Sequence, residues 1–247
     1  MQNTRAFVSA LIQKIDNREI RTLHALNRAK RELAEQFAIS SIPSNPNILS
    51  LVSNPSPKAR QMLGIKPVRT ISGVAPLAIM TKPVDCRHGT CIFCPGGENS
   101  VFGSIPKSYT GHEPASMRAI ANRFDAYLQA LNRLYQYALT NHHFQKVELI
   151  IMGGTFPSFS LDYQRAFVAD AFKALNDFSD WFFVDNGFNF QAFSNFFASE
   201  NLHYPKQSPE FQKKLLLQKG TADLLTEQRK NETAAVRLVA LCIETKP

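Results

Sequence analysis

Three apolar runs, Val74–Met80, Val147–Met152 and Val236–Ile243, are separated by segments long enough to hold at least one helix each. Short runs rich in Val, Ile and Leu and bounded by Gly, Pro or polar residues read as buried strands. Strands spaced by helices are joined by right-handed crossovers and lie parallel, which places ligand-binding loops at their carboxyl ends. This predicts an α/β fold from about residue 73 onward. Each strand ends on a candidate site: a cysteine loop after the first, Gly153-Gly154 after the second and Glu244-Thr245 after the third. All three would converge on one rim. A Gly-Gly pair alone marks a turn, but glycine there also lets backbone amides and carbonyls approach a ligand.

The intervening segments read as helices. Pro114 suits a first helical turn, and Met117, Ile120, Phe124, Leu128, Leu131 and Leu134 recur at helical spacing as a buried stripe. A further helix covers about residues 161–176. Between Phe178 and Phe197 lie Trp181 and eight phenylalanines; their secondary structure is not legible. Such density reads as a satellite packing cluster or partner interface, with a base-stacking platform as the alternative. Toward the N-terminus, residues 1–37 read as two helices broken near Asp16 and Asn17. The Ser-, Pro- and Asn-rich segment from Ser40 to Lys58 reads as a linker, and a domain boundary falls near residue 72.

Chemistry is concentrated in Cys86-Arg87-His88-Gly89-Thr90-Cys91-Ile92-Phe93-Cys94. Three thiolates this close make a soft-metal site, suited to zinc, copper(I) or an iron–sulfur cluster. A structural zinc site needs a fourth ligand, for which His88 or His112 is available. A four-iron cluster on three cysteines instead leaves one iron open, able to bind the amino and carboxylate groups of S-adenosylmethionine for radical chemistry. Cys242, at the end of an apolar run, reads as a small buried hydrophobe.

The net charge of +8 is unevenly spread, with eleven Lys/Arg against four Asp/Glu in residues 1–70 and near-balance afterwards. Ile20, Leu23, Leu26, Leu33 and Phe37 recur at helical spacing, with Arg21, His24, Arg28 and Arg31 on a neighbouring face of the same helix. A solvated basic face has this pattern, as does an RNA-phosphate contact; concentration of the charge in one segment favours RNA. No apolar run approaches the roughly 18 residues of a membrane span, and the N-terminus lacks a secretory apolar segment. The expected address is cytoplasmic, where thiols stay reduced.

Several long stretches resemble the catalytic subunit of Elongator, the elongator protein three family. They are Lys66-Pro67-Val68-Arg69-Thr70-Ile71-Ser72-Gly73-Val74, Met80-Thr81-Lys82-Pro83, the cysteine loop through Cys94-Pro95-Gly96-Gly97, and Ser108-Tyr109-Thr110-Gly111-His112-Glu113-Pro114-Ala115-Ser116-Met117-Arg118-Ala119. The likeness continues in Lys146–Pro157, Asn231-Glu232-Thr233-Ala234 and Ile243-Glu244-Thr245-Lys246-Pro247. The resemblance implies the N-terminal portion of that family: a small basic α-helical transfer-RNA-binding domain over 1–72, then part of a radical S-adenosylmethionine (βα) barrel over 73–247.

It further implies that Cys86, Cys91 and Cys94 hold a 4Fe-4S cluster, that Phe93 packs by the cluster and adenine, and that Gly153 and Gly154 receive the methionine end of S-adenosylmethionine. Glu244 would join the cofactor-binding rim, and Lys146 would contact acetyl-coenzyme A. The implied reaction cleaves S-adenosylmethionine to a 5′-deoxyadenosyl radical, which abstracts hydrogen from the acetyl methyl of acetyl-coenzyme A. The carbon radical adds to C5 of the wobble uridine, and thioester hydrolysis leaves a carboxymethyl group. Arg21, Arg28 and Arg31 would meet phosphates of the transfer-RNA anticodon arm, and the wobble base would leave its stack. An electron donor is also implied. Arg87 stands where the family usually has proline, Gln145 where it usually has aspartate, and the aromatic stretch 178–197 together with Tyr204 to Gly220 enlarges a region short in the relatives. Family members continue past the Glu244-Thr245 motif to complete the barrel and add an acetyltransferase-like domain. The expectation is therefore a fragment: a truncated piece, the product of a decayed gene, or one half of a split enzyme completed by a second polypeptide.

Overall fold

A computed structural model describes residues 2–52, 54–64, 70–86, 89, 91–185, 187–198 and 208–245. Arg87, His88, Lys66-Pro67-Val68-Arg69 of the Lys66–Val74 stretch, Tyr204 and Lys246-Pro247 lie outside the described residues.

Four helices open the chain: α1 (Gln2–Asp16), α2 (Leu23–Gln36), α3 (Asn45–Ser50) and α4 (Pro57–Leu63). Thr22 caps α2 by accepting from the Ala25 amide, and the helix buries Leu26, Ala29, Leu33 and Ala34. The helix starts later than the sequence pattern implies. Ile20 and Arg21 precede it, and Leu23 is exposed. The segment read as a linker contains α3 and ends in the first turn of α4. Its serines and prolines are start signals: Ser44 and Ser56 are N-caps, each followed by proline in the first turn.

The α/β part begins with β1 (Ala75–Met80), a short hairpin of β2 (Gly97–Ser100) and β3 (Gly103–Ile105), then α5 (Pro114–Ala121) and α6 (Ala126–Leu139). The single helix expected from residue 113 onward is two, because Arg123 and Phe124 adopt left-handed φ of 55° and 57°. Met117 and Ile120 are exposed, so the buried stripe belongs to α6 alone. In α6 every residue except Arg133 is buried, because the helix is enclosed by β1 and neighbouring helices.

After β4 (Lys146–Met152) come α7 (Leu161–Phe182), a two-residue-strand hairpin of β5 (Phe183–Val184) and β6 (Gly187–Phe188), α8 (Phe190–Ala198), α9 (Pro209–Lys219), α10 (Leu224–Asn231) and β7 (Arg237–Ile243). The three long strands form a parallel sheet in the order β1-β4-β7. Among the described residues this is an open α/β sheet rather than a closed barrel.

The aromatic stretch is core. Phe178, Phe182, Phe190, Phe193 and Phe197 are buried and ring-packed, continuous with the main cluster that also contains Phe7, Leu26, Leu77 and Leu149. It is neither a separate satellite nor a base-stacking surface. It also ties the N-terminal helices down: the Arg60 guanidinium lies 4.5 Å from the Phe190 ring centre, and Ser194 donates to the Val52 carbonyl.

Cys242 departs from the sequence reading as well. It is exposed, because β7 is an edge strand whose outward faces nothing covers among the described residues. No described helix is long and apolar enough to cross a membrane.

Candidate cofactor and metal site at the strand ends

Parallel pairing in register brings the strands' carboxyl ends level. Met80 pairs with Met152 and Ile151 with Ile243, and the ladder continues one residue beyond: the Thr81 amide donates to Met152 O (3.0 Å) and the Glu244 amide to Ile151 O (2.9 Å). Thr81, Gly153-Gly154 and Glu244 therefore share one rim. Gly153 is confined to glycine on two counts. Its φ is +119°, and a Cβ there would lie 2.4 Å from Thr81 Oγ1. Gly154, with φ +99°, has nothing within 4 Å of its Cβ position, so its backbone borders open space. Behind it, Phe156, Phe159, Tyr163 and Phe167 form a ring-packed wall.

The cysteine loop follows β1, and among its described residues the Gly89 amide donates to Cys86 O (3.0 Å) and the Cys94 amide to Cys91 O (3.1 Å). The three cysteines are half-buried, and none is in a disulfide. Ile92 and Phe93, at the loop's tip, are 93% and 91% exposed, so no described residue covers Phe93. Among the described residues no three His, Cys, Asp or Glu are close enough to hold a metal ion together. The thiols are thus neighbours on one loop without being drawn into a common centre, and His112 does not join them.

The far end of the loop is firmly anchored. The Gly96 amide donates to Lys107 O (2.9 Å), and a Cβ on Gly96 would lie 2.4 Å from Tyr109 O and 2.5 Å from Pro106 O, so backbone packs on backbone there. The Tyr109 hydroxyl in turn donates to Glu244 Oε2 (2.5 Å). Burial, together with this bond to a carboxylate, pushes the Tyr109 phenol well above its usual range and keeps it a donor. A continuous path therefore runs from the cysteine loop through Gly96 and Tyr109 to the end of β7. Glu113 braces the same segment, its carboxylate accepting from the Ser116 hydroxyl, the Thr110 amide and hydroxyl, and the Gly111 amide. The Ser116 hydroxyl first, and then the Thr110 amide, hold the carboxyl down to about 2.

The other expected residues are dispersed. Lys146 opens β4, paired with Arg237 of β7, at the strand end opposite the rim; both border an open cavity of about 690 Å³. Arg21, Arg28 and Arg31 are exposed, but only the last two lie on α2. Arg28 Nε contacts Glu32 Oε1 at 2.7 Å, and Arg21 Nε donates to Arg18 O. Tyr109, Glu113 and Lys107 received no role from sequence. The first two stand in a stretch that matched a family, yet nothing in their spacing tells which carboxylate or amide each will meet.

The fold and site define a class: an α/β protein with a three-thiol loop at the carboxyl rim of a parallel sheet. Residues 2–71 match the family described as the ELP3 N-terminal domain. The chain is 41% identical over 206 residues to the tRNA uridine(34) acetyltransferase of Methanocaldococcus infernus, covering 83% of this chain and 31% of that protein. It is 41% identical over 157 residues to Elongator complex protein 3 of Dictyostelium discoideum, covering 61% and 28% respectively. A solved structure of the M. infernus Elp3 with an N-terminal deletion matches 70% of this chain and 23% of that one, at 26% identity and a TM-score of 0.37, too loose a likeness to argue the fold from. The chain belongs to the elongator protein three family. It spans about a third of the length of the curated relatives it matches.

Proposed function

We propose that this chain carries the cofactor-binding part of a transfer-RNA wobble-uridine-modifying enzyme working by radical S-adenosylmethionine chemistry. The observation that carries the reading is the shared rim, where a glycine with an open backbone lies beside a fixed carboxylate that is joined to a three-thiol loop through Tyr109 and Gly96. The names of the relatives support uridine modification as the outcome.

Cys86, Cys91 and Cys94 fit an iron–sulfur cluster by donor type, and their loop would have to draw the thiols inward to hold it. When bound, a four-iron cluster with one open iron supplies the electron that cleaves S-adenosylmethionine. The chain's own residues bind and orient. Gly154 leaves room for the methionine end of the cofactor to meet backbone, and Gly153 holds that turn against Thr81. Glu244, kept in place by Tyr109, presents a carboxylate to the cofactor's hydroxyl or ammonium groups. Phe93, exposed at the tip, would cover adenine and exclude water. Lys146 is about a strand's length from the rim, roughly 20 Å, and so can hold only the far, anionic end of an extended acetyl-coenzyme A. Arg21, Arg28 and Arg31 would contact phosphates of the anticodon arm.

The acetyl-transfer half of the activity would come from further sequence of the family, in the same or a second polypeptide, laid along β7. The exposed Val239, Leu241 and Ile243 support that placement. A low-potential electron donor and a cytoplasmic, reducing setting complete the reading.

The test is anaerobic reconstitution with iron and sulfide, followed by dithionite and S-adenosylmethionine. Release of 5′-deoxyadenosine is expected, lost on Cys91→Ala while transfer-RNA affinity is kept. Zinc in place of iron, or RNA binding without cleavage by a fully loaded cluster, would sink the radical reading in favour of a metal-stabilised RNA-binding module.

A further inference from the structure

A lysine ammonium is costly to bury unless it is paired, yet Lys107 is 6% exposed beside the cysteine loop. Its Nζ lies 3.0 Å from Asp85 Oδ1, directly before Cys86. Its carbonyl accepts from the Gly96 amide, two residues after Cys94, and a Cβ built on Gly97 would sit 3.9 Å from Lys107 Cε. The side chain therefore runs beneath the loop from its end to its beginning. The bond to Asp85 raises the ammonium's pKa, and burial opposes that rise. The Asp85 side chain is 69% exposed, so water screens the carboxylate more than it screens the buried cation. A plain loop tie would not need a buried charge.

We infer that Lys107 is a positioning residue that fixes a positive charge under the cysteine site and raises the reduction potential of the iron–sulfur cluster held there. The inference rests on the reading that Cys86, Cys91 and Cys94 hold a four-iron cluster. A four-iron core of charge 2+ on three thiolates carries one net negative charge, and one electron from an external low-potential donor makes it two. A fixed cation stabilises the doubly charged state more than the singly charged one, and net charge is a main determinant of such potentials.

The experiment is a redox titration of the reconstituted chain, followed by visible absorption, with iron content measured alongside. Lys107→Gln should lower the reduced-to-oxidised ratio at a fixed potential about tenfold, about 59 mV for a one-electron couple. Lys107→Arg should stay near the parent. Asp85→Asn, at an exposed position, should shift the ratio the opposite way by a smaller factor, an inversion that a merely structural tie would not produce. Equal potentials in all variants at equal iron content would overturn the inference while leaving the cluster assignment intact. A parent chain that takes up no iron overturns both. Should Lys107→Gln fail to fold, an unchanged or lowered ratio in Asp85→Asn is sufficient to reject the inference.

Discussion

Along β1, one edge of the parallel sheet is closed by side chains of α6. Gln129 donates its amide to Met80 O (2.9 Å) and accepts from the Met80 amide (2.8 Å), while the Tyr137 hydroxyl donates to Pro76 O (2.6 Å). Along β7, the opposite edge, Val239, Leu241, Cys242 and Ile243 are exposed. Both strands are short apolar runs, and hydropathy alone ranks them alike. The difference lies in their neighbours: α6 spends polar side chains on β1, and nothing among the described residues does so for β7. A buried backbone group must find a partner, so β1 ends the sheet. An open, apolar parallel edge is a surface on which further strands can add.

The comparison is broken most directly by paired truncations. Leu77→Ala on β1, fully buried, should cost about 2–5 kcal/mol in urea unfolding. Leu241→Ala on β7, 45% exposed, should cost less than about 1 kcal/mol. Equal costs would show that β7 is covered in solution. Gln129→Leu should cost about 1–3 kcal/mol by orphaning both Met80 backbone groups and speed hydrogen exchange at the Met80 amide. Unchanged exchange would mean that α6 does not close this edge. The smallest effect concerns reactivity alone. Peptide-mapped alkylation of Cys242 in the native chain should run close to its rate in urea, whereas strong protection that disappears on dilution would reveal association along β7.

Parts of the fold were legible because they depend on neighbours in sequence. All three long strands follow from their apolar runs and flanking turn residues, and the cysteine loop, Gly153-Gly154 and Glu244 were placed at strand ends by that count. The break between the first two helices lies where Asp16 and Asn17 mark it. The proline-rich segment was misread because Ser44 and Ser56 cap helices too short for a periodic stripe to show. The long helix after residue 113 was misread because two left-handed residues interrupt a pattern whose spacing continues across them. The phenylalanines were unreadable because density does not distinguish a core from a surface.

Sequence by itself therefore determined the class of the sheet, the donor type of the candidate metal site and the family, all of which rest on residue type and spacing. Only tertiary structure decided that Tyr109 meets Glu244 across 135 positions, that Lys107 lies under the cysteines, that Lys146 stands at the opposite end from the rim, and that Cys242 is exposed. Each of these is a contact, or the lack of one, between segments remote in the chain. Such pairings are set by how helices and strands pack, through burial and hydrogen bonding that no local pattern encodes.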